Sequence, residues 1–313
     1  MKTAFIFPGQ GAQYVGMGME LYNHFDIISN IFKITDEILK EDFVNMVFHG
    51  SDEDMKKTEN TQPAVLMVST AISQLLVSEG IIPVMAAGLS LGEYSALVRA
   101  NSISYEDALP VVRKRGQLMN EAVPEGGGTM AAILGLEEDK LLLCCETASE
   151  LGTVIIANYN CPGQMVLSGD RKAVEKASQL AMEAGAKRVV PLSVSGPFHS
   201  PMLQTTGYAL ENELKQIKIL KPEIPVVQNV SAKPAESVEE VRSLLVKQIS
   251  SPVRWEDCIR YMLSQGIDNF IEVGPGKVLS GFMKKIDKTA NIYNVEDSVS
   301  LKNILNALKE VDQ

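Results

Sequence analysis

The stretch Val84-Met85-Ala86-Ala87-Gly88-Leu89-Ser90-Leu91-Gly92-Glu93-Tyr94 constrains the chain more than any other. A short apolar run ends in G-x-S-x-G and then turns into a helical pattern. That is the strand–elbow–helix arrangement that presents a nucleophilic serine. Gly88 and Gly92 remove side chains that would collide when Ser90 is forced into a sharp turn. The turn lifts the Ser90 oxygen clear of a sheet and leaves it near the first amides of the following helix. Those amides are unpaired donors at the positive end of a helix dipole, suited to an oxyanion. Ser90 is the candidate nucleophile.

Strand and helix signals alternate around the elbow. Residues 3–7 read as a buried strand stopped by Pro8-Gly9. The loop Gln10-Gly11-Ala12-Gln13-Tyr14-Val15-Gly16 fails as a dinucleotide fingerprint because Tyr14 stands where the third glycine belongs. Its glycines instead let backbone approach something reactive. The pattern predicts a helix over about 26–48 and one opened by Thr61-Gln62-Pro63-Ala64 and ended by Gly80. A third starts at Ser104-Tyr105-Glu106-Asp107 and runs to about Val123, with Pro110 marking a kink or a later start. Strands follow at 226–229, 269–273 and 291–294, and helices at 237–249 and 255–265, with Asp297 capping a closing helix. Such alternation implies an α/β fold with a mostly parallel sheet covered on both faces.

A different pattern interrupts it. Glu125-Gly126-Gly127-Gly128 reads as a candidate hinge, and the chain beyond it runs strand, helix, strand, strand, helix, strand. The strands fall at 129–134, 153–158, 164–168 and 186–190, the helices at 137–150 and 172–183. This β-α-β-β-α-β order is the ferredoxin-like signature. The expected division is a core of residues 1–127 and 196–313 with an insert over 128–195.

The net charge of −10 argues against a general affinity for nucleic acid or an anionic membrane. Four cysteines without a C-x-x-C suggest neither a zinc site nor a disulfide framework. No apolar run approaches membrane-spanning length, and Pro8-Gly9 breaks the first one too early for a signal peptide. A cytoplasmic protein is the expectation.

A nucleophilic serine needs a base, and histidine is the usual one. His24 and His49 lie in or beside helices with no partner motif, whereas His199 sits in Gly196-Pro197-Phe198-His199-Ser200-Pro201, with rigid punctuation on both sides. A third group should orient the ring. Asp170 has the chain order of a hydrolase triad but falls inside the insert, and no H-G-G-G loop supplies the usual oxyanion donor. A Ser–His dyad oriented by a backbone carbonyl fits better. Arg115, read alone, is a solvated helix face.

Taken together, Phe7-Pro8-Gly9-Gln10-Gly11-Ala12-Gln13, Thr61-Gln62-Pro63-Ala64, the Ser90 elbow, Lys114-Arg115-Gly116 and Gly196-Pro197-Phe198-His199-Ser200 form one ordered set. Ser251-Pro252-Val253-Arg254-Trp255 and Ile271-Glu272-Val273-Gly274-Pro275-Gly276 complete it. The set resembles the bacterial malonyl-CoA:acyl carrier protein transacylases of fatty-acid synthesis over essentially the whole chain. The resemblance implies an α/β-hydrolase-like core with a ferredoxin-like insert. It makes Ser90 the acylated nucleophile, His199 its base, and the main-chain carbonyl of Gln248 the orienter of that base. It makes Gln10 and Leu91 the oxyanion donors and Arg115 the residue that holds the malonyl carboxylate, with Gln62 and Phe198 also lining the substrate. No metal or other cofactor is implied; malonyl-CoA is a substrate, and acyl carrier protein is the partner.

One position departs from the family. Leu89 stands where G-H-S-L-G usually has His. Carrier proteins of this kind are acidic, so the chain needs a local basic face. Arg171, Lys172, Lys176, Lys187 and Arg188, with Lys277, Lys284 and Lys285, are the candidates. Three rival readings stand beside this one: an acyl-thioester serine hydrolase, a non-catalytic scaffold, and the same transfer serving polyketide assembly in trans.

Overall fold

The structure, a computed structural model, describes residues 2–124, 126–194 and 196–311. The chain opens with β1 (Thr3–Phe7), α1 (Met19–His24), α2 (Asp26–Leu39), α3 (Phe43–His49), α4 (Asp52–Lys56) and α5 (Thr58–Ser78). The elbow segment gives β2 (Met85–Gly88) and α6 (Gly92–Arg99), followed by α7 (Tyr105–Glu121). Next come β3 (Gly128–Leu134), α8 (Glu138–Ala148), β4 (Val154–Cys161), β5 (Gln164–Asp170), α9 (Arg171–Glu183) and β6 (Arg188–Pro191). The remainder is α10 (Gln204–Gln216), β7 (Val226–Val227), α11 (Val238–Gln248), α12 (Trp255–Ser264), β8 (Asn269–Val273), α13 (Val278–Ile286), β9 (Asn291–Val295) and α14 (Ser298–Val311).

The chain forms two compact units. The first takes Met1–Gly116, Ile217–Val227 and Met262–Gln313; the second takes Gln117–Gln216 and Gln228–Tyr261. In the first unit the strands lie in the order β7–β2–β1–β8–β9, every pair parallel. β1, β2 and β8 are buried along their whole length, as strands covered on both faces should be, and β8 buries Asn269 and Glu272 among its apolar residues. Phe7 pairs with Gly88, so the loop after β1 and the elbow after β2 leave the same edge side by side. That edge, at the carboxyl ends of parallel strands, is where open α/β sheets carry their ligands.

In the second unit the order is β4–β5–β3–β6, every pair antiparallel. With helices α8 and α9 between the strands, this is the split β-α-β arrangement expected of residues 128–195. Ile133, Leu141, Leu167, Val174 and Ala177 close its core, and Cys144 and Cys145 are buried in it as free thiols. The second unit is wider than that segment, since it also takes in 117–127, 196–216 and 228–261.

Several boundaries differ from expectation. The helix expected at Thr61 begins a turn earlier, at Thr58, so Pro63 lies inside it and removes one backbone donor. Helix α5 is also long and apolar enough to span a bilayer, although 83% of its most apolar window is buried inside the protein. It is a core helix, with Thr61, Gln62, Ser69, Thr70 and Ser73 buried among its apolar residues. The helix expected over 26–48 is two, parted at Lys40 (φ 55°). Ser104 caps α7 as expected, accepting from the Asp107 amide, and Pro110 is absorbed within the helix. Ser200 does not cap α10: its hydroxyl turns back to the Pro197 carbonyl at 2.7 Å, and a single 3-10 turn over Pro201–Leu203 intervenes. Of the hinge expected at Glu125–Gly128, Glu125 lies outside the described residues, as does Ser195. Gly127 closes a turn on the Pro124 carbonyl, and Gly128 already belongs to β3.

Candidate active site

Ser90 occupies the tip between β2 and α6 with φ 52°, a left-handed conformation that a serine adopts only when its surroundings enforce it. The two motif glycines do so by close approach. A Cβ on Gly88 would fall 1.9 Å from the Gly92 carbonyl carbon, and one on Gly92 would fall 2.2 Å from the Phe7 oxygen. The turn is locked by Gly92 donating to the Leu89 carbonyl at 2.9 Å and Glu93 donating to the Ser90 carbonyl at 3.1 Å. Leu91, the residue preceding α6, is fully buried.

The Pro8–Gln10 loop lies against this tip. A Cβ on Gly9 would meet the Leu89 oxygen at 2.4 Å, so only glycine permits the contact. Leu89 is half-buried and lies over Gly9. Among the described residues, the Gln10 and Leu91 amides have no main-chain acceptor, which leaves both as donors beside Ser90. The Gln10 side chain is tied to Thr58 at the start of α5, Nε2 to Oγ1 at 3.3 Å.

Arg115 is not on a solvated face. It is 1% exposed on α7, donates from Nη1 to the Gln62 Oε1 at 2.8 Å, and donates from Nη2 to the Ser90 Oγ at 3.0 Å. Its guanidinium lies over the Tyr94 ring, 5.7 Å from the centroid. Gly116 lets α7 approach so closely, because a Cβ there would fall 2.7 Å from the Thr58 carbonyl. Burial holds the Arg115 pKa below its usual value, opposed by the charges of Tyr94 and Glu93, and burial in turn raises the Tyr94 phenol. An arginine still carries its charge at neutral pH under such a shift. A fixed, partly desolvated cation therefore stands one hydrogen bond from the nucleophile. Gln62 is held in this cluster by accepting from Arg115. Tyr94 was legible only as the fourth residue after Ser90, one helical turn on.

The second unit carries the other candidates. His199 is 4% exposed, has φ 59°, and hydrogen-bonds through Nδ1 to the Gln248 carbonyl at 2.7 Å. Gln248 is the last residue of α11, so the acceptor is one of the carbonyls that a helix end leaves unpaired. The contact fixes Nδ1–H as the donor and leaves the basic lone pair of the neutral ring on Nε2. The negative end of the helix dipole also favours an imidazolium by about 0.3–2 kcal/mol. The buried Gln248 side chain donates to Asn229 Oδ1 at 3.3 Å, an anchor that no sequence signal announced. Phe198 is 5% exposed beside Gly196. Asp170 does not serve His199 in the structure: its Oδ2 accepts from the Thr153 amide at 2.6 Å.

Arg171, Lys172, Lys187 and Arg188 are exposed on the second unit, with Lys176 half-buried, and Lys277, Lys284 and Lys285 are exposed on the first. Arg171 donates to the Gly126 carbonyl, and Lys277 lies 3.7 Å from Glu296.

Known proteins match this chain over nearly its whole length. Residues 4–302 match the acyl transferase domain family. The malonyl CoA-acyl carrier protein transacylase of Bacillus subtilis is 44% identical over 310 residues, 99% of this chain and 98% of that protein. The crystal structure of the transacylase of that name from Clostridium perfringens superposes with a TM-score of 0.97 at 42% identity, covering 100% of this chain and 98% of that one. A malonyl-transacylase solved with its type II PKS acyl-carrier protein gives a TM-score of 0.96 at 39% identity, covering 98% of this chain and 100% of that one. Identity at this level over the full length, with the strained serine and the buried arginine in place, is a relationship of descent, and the chain belongs to the acyl transferase family of malonyl-CoA:acyl carrier protein transacylases.

Proposed function

We propose that the chain transfers a malonyl group from malonyl-CoA to the phosphopantetheine thiol of an acyl carrier protein through a malonyl-Ser90 ester. The observation that carries this reading is Arg115, buried and held by Gln62 with Nη2 3.0 Å from the Ser90 Oγ. A planar fork of donors beside the nucleophile suits an acyl group that ends in a free carboxylate.

In the first half-reaction Ser90 Oγ attacks the thioester carbon while His199 Nε2 takes its proton. The oxyanion is received by the Gln10 and Leu91 amides. The C–S bond then breaks, and the coenzyme A thiolate leaves with the proton from His199. In the second half, His199 takes the proton of the phosphopantetheine thiol. Its sulfur attacks the Ser90 ester, and the serine oxygen departs with that proton. The Gln248 carbonyl keeps the imidazole in one tautomer throughout. Serine, histidine and backbone supply the proton transfers and the oxyanion donors, Arg115 answers the substrate carboxylate, and the reading calls for no cofactor. Phe198 beside the base crowds branched acyl groups, and exposed basic side chains such as Arg171 and Lys172 receive an acidic carrier. Residues 128–195 act as a ferredoxin-like insert in an α/β-hydrolase-like core. The reaction supplies fatty-acid synthesis in the cytoplasm.

Intact-mass measurement after mixing the protein with malonyl-CoA, with and without carrier, tests the reading. The protein should gain a malonyl group on Ser90 and hold it until carrier is added. Unaided release to water would make it a hydrolase, and no mass gain would make it a scaffold.

A further inference from the structure

Two side chains one turn apart on α5 reach two different parts of the site. Thr58, the first residue of the helix, accepts through Oγ1 from Gln10 Nε2 at 3.3 Å. Gln62 follows one turn later on the same helix face and accepts from Arg115 Nη1 at 2.8 Å. Both are buried, at 2% and 1% exposure. Gln62 thus meets the group assigned to the acyl carboxylate. Thr58 meets the loop whose Gln10 amide is assigned to the oxyanion, a contact with no role of its own in the transfer steps.

The loop has reason to need that contact. Before Gln10 it is fixed, because Gly9 is pressed on the elbow where a Cβ would fall 2.4 Å from the Leu89 oxygen. After Gln10 it is open. Gly11 is exposed at φ 104°, a Cβ there would meet nothing within 4 Å, and its amide donates to the nearby Gln13 side chain at 2.7 Å. The direction of the Gln10 peptide therefore rests on Gly9 before it and on the side-chain tie to Thr58. Thr58 is a firm anchor, since α7 closes on it at Gly116, where a Cβ would fall 2.7 Å from the Thr58 carbonyl oxygen.

We infer that Thr58 is a positioning residue for acyl transfer, its hydroxyl holding the Gln10 amide at the oxyanion through the Gln10 side chain. The inference rests on the malonyl-Ser90 reading and divides the labour of one helical turn. An oxyanion forms on every thioester donor, so Thr58 serves all donors alike. A carboxylate comes with malonyl and not with acetyl, so Gln62 serves malonyl.

The rate of acyl-enzyme formation, timed by intact mass over a range of malonyl-CoA and of acetyl-CoA, tests the inference. Outright loss of an oxyanion donor costs about 10²–10³ in kcat, and loosening one should cost about 10-fold. Thr58→Val, similar in shape but without the hydroxyl, should lower the maximal loading rate by that factor for both donors. The half-saturating concentration should change little. Thr58→Ser keeps the acceptor and should restore the rate. Gln10→Leu keeps the main-chain amide but deletes Nε2; it should reproduce the loss and gives the answer if Thr58→Val does not fold. Wild-type rates in Thr58→Val, a loss confined to malonyl, or a Thr58→Ser variant no faster than Thr58→Val would each overturn the inference and leave the transfer reading standing. A wild-type protein that loads neither donor overturns both.

Discussion

Ser90 and His199 are both held in the left-handed backbone region, at φ 52° and 59°, but by opposite means. Around Ser90 the chain removes matter. Gly88 and Gly92 are pressed against backbone at distances no Cβ tolerates, and the elbow exists because nothing fills those positions. Around His199 the chain adds it. Pro197 is wedged on Gly128, whose Cβ would fall 2.4 Å from its ring, Ser200 ties back to Pro197, and Gln248 holds the imidazole. The first device fails all at once when a methyl group is added; the second shares its load among several contacts and weakens in steps.

Gly88→Ala puts that difference to its hardest test. The new Cβ would meet main chain rather than a flexible side chain, so we expect a loss of about 4 kcal/mol or more, or failure to fold. A folded variant within about 1 kcal/mol of wild type by denaturant titration would show the elbow to be more compliant than its contacts imply. On the other side, His199→Ala should slow transfer by about 10²–10⁴-fold, or about 3–5 kcal/mol of barrier, with a near-normal unfolding midpoint. An unchanged pH–rate profile would remove His199 from the role of base.

Arg115 sharpens the contrast between site and scaffold. Arg115→Ala should depress malonyl loading by about 10²-fold or more while acetyl loading stays level or rises, since only malonyl presents a carboxylate to the fork. Arg115→Lys should recover little. If both donors slow by one factor, the arginine is a packing element. The smallest effect concerns the strain itself. Ser90→Gly should be more stable than Ser90→Ala, and His199→Gly more stable than His199→Ala, each by about 1 kcal/mol. Equal stability within either pair would mean that its left-handed backbone carries no cost.

The elbow was legible because its glycines are spaced by a local steric rule, and β1 and β2 because short, almost wholly apolar runs lead into Pro8-Gly9 and into the elbow. The β-α-β-β-α-β segment was legible because its order alone dictates which strands can meet. Arg115 was not legible from residues alone. A charged residue on a helix is ordinarily solvated, and only the packing of α7 against Thr58 through Gly116 reverses that. Asn229 and Tyr94 escaped notice for the same reason, as each matters through a neighbour distant in sequence or buried in place. Pro63 misled on the start of α5, because enclosure in the core outweighs one missing backbone donor. Leu89, the departure from the family pattern, lies half-buried over Gly9, a position that asks for shape and makes no demand for a polar group.

The acceptor that orients His199 is a main-chain oxygen, and this gives the proposed base an unusual genetic exposure. A carboxylate in that place can be erased by one nucleotide change. A carbonyl cannot, since every amino acid supplies one. The vulnerable property is where α11 ends. Inserting or deleting a single residue ahead of Gln248 would rotate the last carbonyls by about 100° and present the imidazole with the wrong one. Substitutions along the helix should therefore be tolerated widely in descendants of this chain, while changes in its length should be rare.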